Sequence, residues 1–188
     1  MERLTPEFFK RTPVDCARDL IGCTFEWRGC SGRIVETEAY AAEGDPACHT
    51  FFRPGARRFV ADHPAGHAYV YLNYGVHWLF NILVKDGPMA GFVLFRALEP
   101  LAGIEAMRVR RPGRPDHELC AGPGKLTRAL GIDGGHHAES FLSLPDCGIR
   151  PGPGAGILSG PRIGISVAKD FPWRFGEANS RSLSQKFK

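Results

Sequence analysis

The chain has 188 residues, 43% apolar and 11% aromatic, enough for one sizeable core and too few for two comfortable domains, so a single domain over residues 1–188 is expected. A net charge of +4 does not by itself identify a polyanion binder; no run reaches the roughly 18 apolar residues that cross a bilayer, and the opening MERLTPEFFKRTP lacks an apolar signal segment, so a soluble cytoplasmic protein with no membrane partner is expected. Six scattered cysteines never approach C-x-x-C spacing, which favours reduced, buried thiols over a disulfide or zinc framework.

In chain order, LTPEFFKRTPVDCARDLIGCTFEWRG offers a Thr5 cap with Pro6 at the first helical position, a second helix near residues 14–20, and extended chain from about Cys23. Four strand candidates follow at 32–40, 68–74, 78–85 and 92–98, each with β-branched or aromatic content between Gly or Pro signals. ALEPLAGIEAMRVRRPG reads as a helix opened by Pro100, with Leu101, Ile104 and Met107 on one face and Pro112-Gly113 as its stop; a shorter helix spans 123–130, ended by Gly131. GIRPGPGAGILSGP, 148–161, is too rich in Gly and Pro for regular structure and reads as a loop. RIGISVA is the last strand, and the tail PWRFGEANSRSLSQKFK packs through Trp173 and Phe175 before fraying. Helices at both ends of a consecutive strand block argue for an α+β fold with an antiparallel or mixed sheet.

Two glycine-rich segments fail as nucleotide loops. GPGAG, 152–156, is not followed by the helix that would aim its amides at a pyrophosphate, and AGPGKL, 121–126, lacks the earlier P-loop glycine and has Leu126 where a magnesium-binding hydroxyl belongs. What survives in the latter is a helix N-terminus with Lys125 beside it, suited either to one phosphate or to ordinary capping. The seven histidines include a His136-His137 doublet and His63 and His67 four apart, but no group offers three or four convergent ligands, so neither a metal nor another cofactor is expected. Basic residues gather at Arg53, Arg57 and Arg58 and again between Arg96 and Arg128; such clusters either track phosphates or form a solvated face balanced by acids.

Polar residues interrupt three apolar strands. Strand alternation puts Ile34, Glu36, Glu38 and Tyr40 of GRIVETEAY on one face, Asn81 lies within HWLFNILVK, and Arg96 lies within GFVLFRAL. Burying such groups without partners costs several kcal/mol, so each needs a neighbour, a water or a ligand. A Glu38–Arg96 ion pair and a backbone-bonded Asn81 would meet that need. So would a single polar pocket walled by Tyr40, Tyr69, Tyr71 and Tyr74, which suits a flat heteroaromatic ring.

With RIVETEAY, DPACH, AYVYLNYGVHWLFN, VLFRALEPL and ELCAGPGKLTRALGI in order, nearly the whole chain resembles the alkyladenine type of 3-methyladenine DNA glycosylase, also called methylpurine-DNA glycosylase. The resemblance implies a single α+β domain built on a curved antiparallel sheet flanked by helices, a barrel like that of formyltransferase C-terminal domains. It implies a monomeric base-excision repair enzyme that flips a damaged purine (3-methyladenine, 7-methylguanine, hypoxanthine or ethenoadenine) out of double-stranded DNA and leaves an abasic site. Glu38 falls where the family keeps the general base that activates a water, and Arg96 at the water and phosphate side of the pocket. Tyr40, His49 and Tyr71 fall on residues enclosing the flipped base, Asn81 on the one that discriminates against guanine's exocyclic amine, and Tyr74 on the side chain that fills the gap in the stack. Arg57, Arg58 and Lys125 are expected at the DNA backbone.

The chain departs from the family pattern at Phe59, where asparagine usually follows the second arginine, and at Val76, beside the wedge. Two alternatives stand beside this reading: a lesion-binding protein that flips without cutting, and a carbohydrate glycoside hydrolase using Glu36 and Glu38 as its carboxylate pair.

Overall fold

The computed structural model describes residues 2–154 and 156–187. Near the N-terminus Thr12 accepts from the Asp15 amide and Pro13 occupies the first turn, so helix α1 runs Pro13–Asp19. Thr5 precedes only a short 3-10 turn, Pro6–Phe9. The chain then forms β1 (Thr24–Trp27) and β2 (Cys30–Ala41), two helices that sequence patterning did not reveal, α2 (His49–Phe52) and α3 (Pro54–Asp62), and a meander of β3 (Ala68–Asn73), β4 (His77–Val84) and β5 (Gly91–Ala102). Helices α4 (Ile104–Arg110) and α5 (Pro123–Leu130) follow, then β6 (Cys147–Arg150), β7 (Ile157–Gly160) and β8 (Arg174–Glu177).

All the strands join one antiparallel sheet in the order β3-β4-β5-β2-β1-β6, with β7 and β8 attached to the side of β2. The same edge of β2 serves two partners: its start pairs with β1 and Glu36 to Glu38 pair with β8. The expected closed barrel does not form, because both end strands are covered by irregular chain instead of pairing with each other. Ala68 of β3 exchanges hydrogen bonds with Ala138 and Glu139, and Ile149 of β6 accepts from Leu4. The result is an α+β domain with an open sheet.

The sheet has a core face and a site face. Phe25, Trp27, Phe80, Phe95 and Phe141 pack edge to face at the centre of the main core, joined by α1 and by Leu126, Ala129 and Leu130 of α5. Opposite, Tyr69, Leu83 and Phe92 pack under Ala56 and Phe59 of α3. Between β2 and β5 the register slips at Ile34/Glu36 and again at Glu36/Thr37, leaving Val35 and Arg96 without opposite numbers. This double bulge changes which residues face the core. Ala39 and Phe95 point inward on one side of it and Ile34 and Leu98 on the other, so Ile34 does not share the face of Glu36, Glu38 and Tyr40.

Four other expectations change. Pro100 belongs to β5, paired with Gly32, where a Cβ would sit 2.9 Å from Leu98 Cβ; α4 starts only after Gly103, and Leu101 is exposed. Segment 148–161 is not all loop, since its ends supply β6 and β7; Gly152 packs against the Gly22 carbonyl, and Ala155 of GPGAG lies outside the described residues. RIGISVA forms an irregular loop, because Gly164 and Ala168 take positive φ and Arg162 is drawn into a buried ion pair. The tail forms β8 and then docks, with Ser182 buried and Ser184 bonded to Glu36. The six cysteines are buried free thiols. No helix among the described residues is long and apolar enough to cross a membrane.

Gly91 fixes the β2–β5 contact that carries Tyr40, since a Cβ there would lie 2.0 Å from the Tyr40 carbonyl oxygen. Gly91→Ala should cost about 3 kcal/mol, roughly 6–12 °C in Tm. An unchanged melting curve would contradict this pairing.

Candidate active site

On the site face a cavity of about 450 Å³ opens between the meander and the loop that follows β7. Its floor is built by strand alternation: Tyr69 and Tyr71 from β3, Leu79 and Asn81 from β4, Phe92, Leu94 and Arg96 from β5, with Tyr40 from β2. Residues 163–167 roof it, and His49, Phe52 and Arg53 form the rim. The volume and the aromatic lining suit a bound heteroaromatic ring.

Two buried carboxylates lie behind the floor. Glu36 and Glu38 are both fully buried, and Arg96 reaches each, its Nε 3.0 Å from Glu36 Oε1 and its Nη1 3.3 Å from Glu38 Oε1. Glu36 is further enclosed by Arg174 Nε at 2.7 Å, the Ser184 amide at 2.6 Å and the Ser184 hydroxyl at 2.8 Å. Glu38 receives less: the Tyr40 hydroxyl at 2.7 Å and the Ile163 amide at 2.7 Å. Burial raises the Glu38 carboxyl above its ordinary value, against the opposing pull of Arg96, the Ile163 amide and Tyr40. Glu38 is not itself part of the cavity surface, but Tyr40, Arg96 and Ile163, the residues that bond it, all are.

The rim is aromatic and cationic. His49 stands edge-on to Tyr71 at 4.3 Å between centroids and its Nδ1 lies 3.2 Å from the Tyr69 hydroxyl. Arg53, exposed, lies over the rings of Phe52 and Tyr71. Burial, with the Arg53 charge beside it, lowers the His49 pKa to about 4, so its ring is neutral at physiological pH. Burial also pushes Tyr69 up to about 12 and Tyr40 well above the ordinary phenol value. The Asn81 amide donates to the Tyr69 carbonyl, which orients it at the floor.

The other expected residues lie around this centre. Tyr74 tops the β3–β4 hairpin, 85% exposed, at φ 50° beside Gly75 at φ 69°, with the Val76 amide bonded to the Asn73 carbonyl. A bulky residue in this left-handed region costs roughly 1 kcal/mol, a cost the tight hairpin turn overrides. Arg57 is used internally, donating to the Thr50 carbonyl to brace α3 on α2, while Arg58 and Lys125 are exposed on α3 and on the first turn of α5. Much of the second basic cluster already has partners within the chain: Arg108 pairs with Asp116 on the surface, and Arg110 and Arg111 bind backbone carbonyls. Sequence reasoning missed Asp45, Arg162, Arg174, Ser184 and Phe52, and it named Arg53 only within a basic cluster, not at the rim. The first four act across more than 100 residues of chain, and no local pattern announces such pairing.

Residues 7–181 match the family described as methylpurine-DNA glycosylase. A protein of Nitrosospira multiformis named "Putative 3-methyladenine DNA glycosylase" is 45% identical over 180 residues, 96% of this chain and 93% of its own. Proteins of the same name from Rhodopseudomonas palustris and Agrobacterium fabrum are 45% and 44% identical, over 98% and 96% of this chain and 89% and 91% of theirs.

Because His49 has a folded pKa of about 4 against an ordinary 6.5, the unfolded chain takes up that proton first. Its contribution to stability is therefore full above about pH 6.5 and is lost as pH falls toward 4. Ring-proton NMR should find His49 still neutral at pH 5; titration near 6.5 would contradict the packed rim.

Proposed function

The chain belongs to the methylpurine-DNA glycosylase family, and from that premise we propose that it flips a damaged purine nucleotide from duplex DNA into the cavity and hydrolyses its glycosidic bond with a water activated by Glu38. It is a DNA glycosylase of base-excision repair, a hydrolase of N-glycosyl bonds. The observation that carries the mechanistic part is the sealed carboxylate directly behind the cavity floor, bonded to three residues that line it.

In this reading Tyr40, Tyr71 and His49 enclose the base, and Asn81 disfavours guanine's exocyclic amine, so that an intact guanine is rejected while 7-methylguanine, whose cationic base leaves readily, still reacts. Tyr74, exposed at the tip of its hairpin, enters the gap in the stack and offsets part of the unstacking cost. The water reaches Glu38 from the cavity where Tyr40 and Arg96 cover it and attacks the anomeric carbon of the flipped sugar; Glu38 takes its proton, and Arg96 keeps that carboxylate ionised and in place beforehand. Arg58 and Lys125 meet phosphates, and Arg57 contributes chiefly by holding α3 in place.

The electrostatics favour cationic lesions. A purine alkylated at N3 or N7 leaves as a neutral base and needs only the positioned water and its base catalyst, whereas a neutral lesion such as hypoxanthine needs a proton. His49, with its pKa near 4, and the raised tyrosines are poor proton donors at neutral pH. 3-Methyladenine and 7-methylguanine are accordingly the preferred substrates. The carbohydrate-hydrolase alternative needs two carboxylates facing a sugar, and Glu36 is fully engaged by Arg96, Arg174 and Ser184.

Single-turnover base release from duplexes carrying each lesion tests the proposal. Glu38→Gln should slow release by about 10²–10⁴-fold while lesion-duplex Kd changes only a few-fold. Release at the wild-type rate would remove Glu38 from the mechanism, and parallel loss of binding would assign it to the fold.

A further inference from the structure

We propose that the buried Asp45–Arg162 pair is the positioning device for Glu38, one guanidinium setting both neutral hydrogen-bond donors of the carboxylate. The proposal rests on the reading of Glu38 as general base. Both side chains are completely buried, with Arg162 Nη1 and Nη2 at 2.5 and 2.8 Å from the two Asp45 oxygens. Arg162 Nη1 also donates to the Ala39 carbonyl on β2, and Nη2 to Ala168 at 3.4 Å, so the arginine closes the roof loop on itself and ties it to the strand that carries Glu38. The next residue after this anchor is Ile163, whose amide donates to Glu38.

The second donor is set by stacking. The Arg162 guanidinium lies 4.6 Å from the centre of the Tyr40 ring, whose hydroxyl is the other neutral partner of Glu38. Asp45 extends the brace to the rim, accepting from the Ala41 and Ala47 amides and folding the turn that leads into α2 and His49. Stability alone does not account for the pair. Two buried charges lose their hydration, and Arg162 Nε has no hydrogen-bond partner among the described residues. A brace that places the roof, the Tyr40 ring and the rim turn against one carboxylate accounts for its retention.

The groups facing Glu38 are Arg96 from β5, Glu36 and Tyr40 from β2, Tyr71 from β3 and the Ile163 amide from the roof, with Arg174 opposite it on β8. Arg96 and the two neutral donors favour the carboxylate form. Loosening the donors while leaving Arg96 in place should raise the pH at which Glu38 ionises in the folded enzyme.

The test uses full-length protein and a duplex containing 7-methylguanine. Asp45→Asn should fold, keep lesion-duplex Kd within a few-fold, slow single-turnover excision about tenfold to a hundredfold, and move the acid limb of its pH–rate profile upward. Arg162→Lys, which keeps the buried charge but not the fork, should shift both in the same direction by less. Unchanged rates, or slowed excision with the acid limb unmoved, would overturn the proposal. In the wild type, with no substitution, the Ile163 amide proton should titrate at the pH of that limb, and an insensitive amide would overturn the proposal equally. Failure of the general-base reading would look different: Glu38→Gln would then still excise, whatever Asp45→Asn does.

Discussion

Two carboxylates, two residues apart on one strand and both fully buried, set the terms for the rest of this molecule. An uncompensated buried charge costs several kcal/mol, so the fold must bring cations to β2 from elsewhere in the chain. Arg96 arrives because β5 bulges at that residue, and Arg174 because β8 takes over the edge of β2 where β1 leaves it. The tail then adds Ser184. The double bulge, the exchange of edge partners and the docked tail can all be read as ways of satisfying Glu36 and Glu38.

The compensation is unequal, and the inequality carries the chemistry. Glu36 holds two guanidiniums, an amide and a hydroxyl; Glu38 shares one guanidinium and depends on two neutral donors from the cavity lining. In the proposed mechanism the first carboxylate is structural and the second takes a proton, close to a cavity in which burial holds His49, Tyr40 and Tyr69 neutral. On that proposal the site supplies a base and no ordinary acid, which matches substrates whose leaving group already carries a positive charge.

Much of this was legible in the sequence because it is local. Alternation in GRIVETEAY, YVYLNYG and GFVLFRAL places a carboxylate, tyrosines and an arginine on strands that pair, and Pro123 and Gly131 bound α5 where composition says they should. Bulges defeat alternation, so the crossing of Ile34 to the core face was invisible, and with it the reason Arg96 reaches both glutamates. RIGISVA has strand composition, but Arg162 is held by Asp45, 117 residues away, and that tertiary bond overrides local preference. Pro100 misleads for the opposite reason: it is a frequent helix opener that a strand tolerates at a bulge or a free edge, and it sits beside the register shift at Ser31/Gly32, beyond the stretch of β5 that β4 pairs. The arginine clusters stayed ambiguous for a related reason, since sequence does not distinguish a free guanidinium from one already bonded to a carboxylate or a backbone carbonyl.

The most direct test of the account is the pH dependence of single-turnover excision by the unaltered protein on a duplex carrying 7-methylguanine, whose cationic base needs no acid catalyst. The account predicts a rate that rises with pH through one ionisation above the usual glutamate range and then stays level, with that ionisation absent in Glu38→Gln. A rate flat across the acid range, or one that falls as the carboxylate ionises, would contradict it.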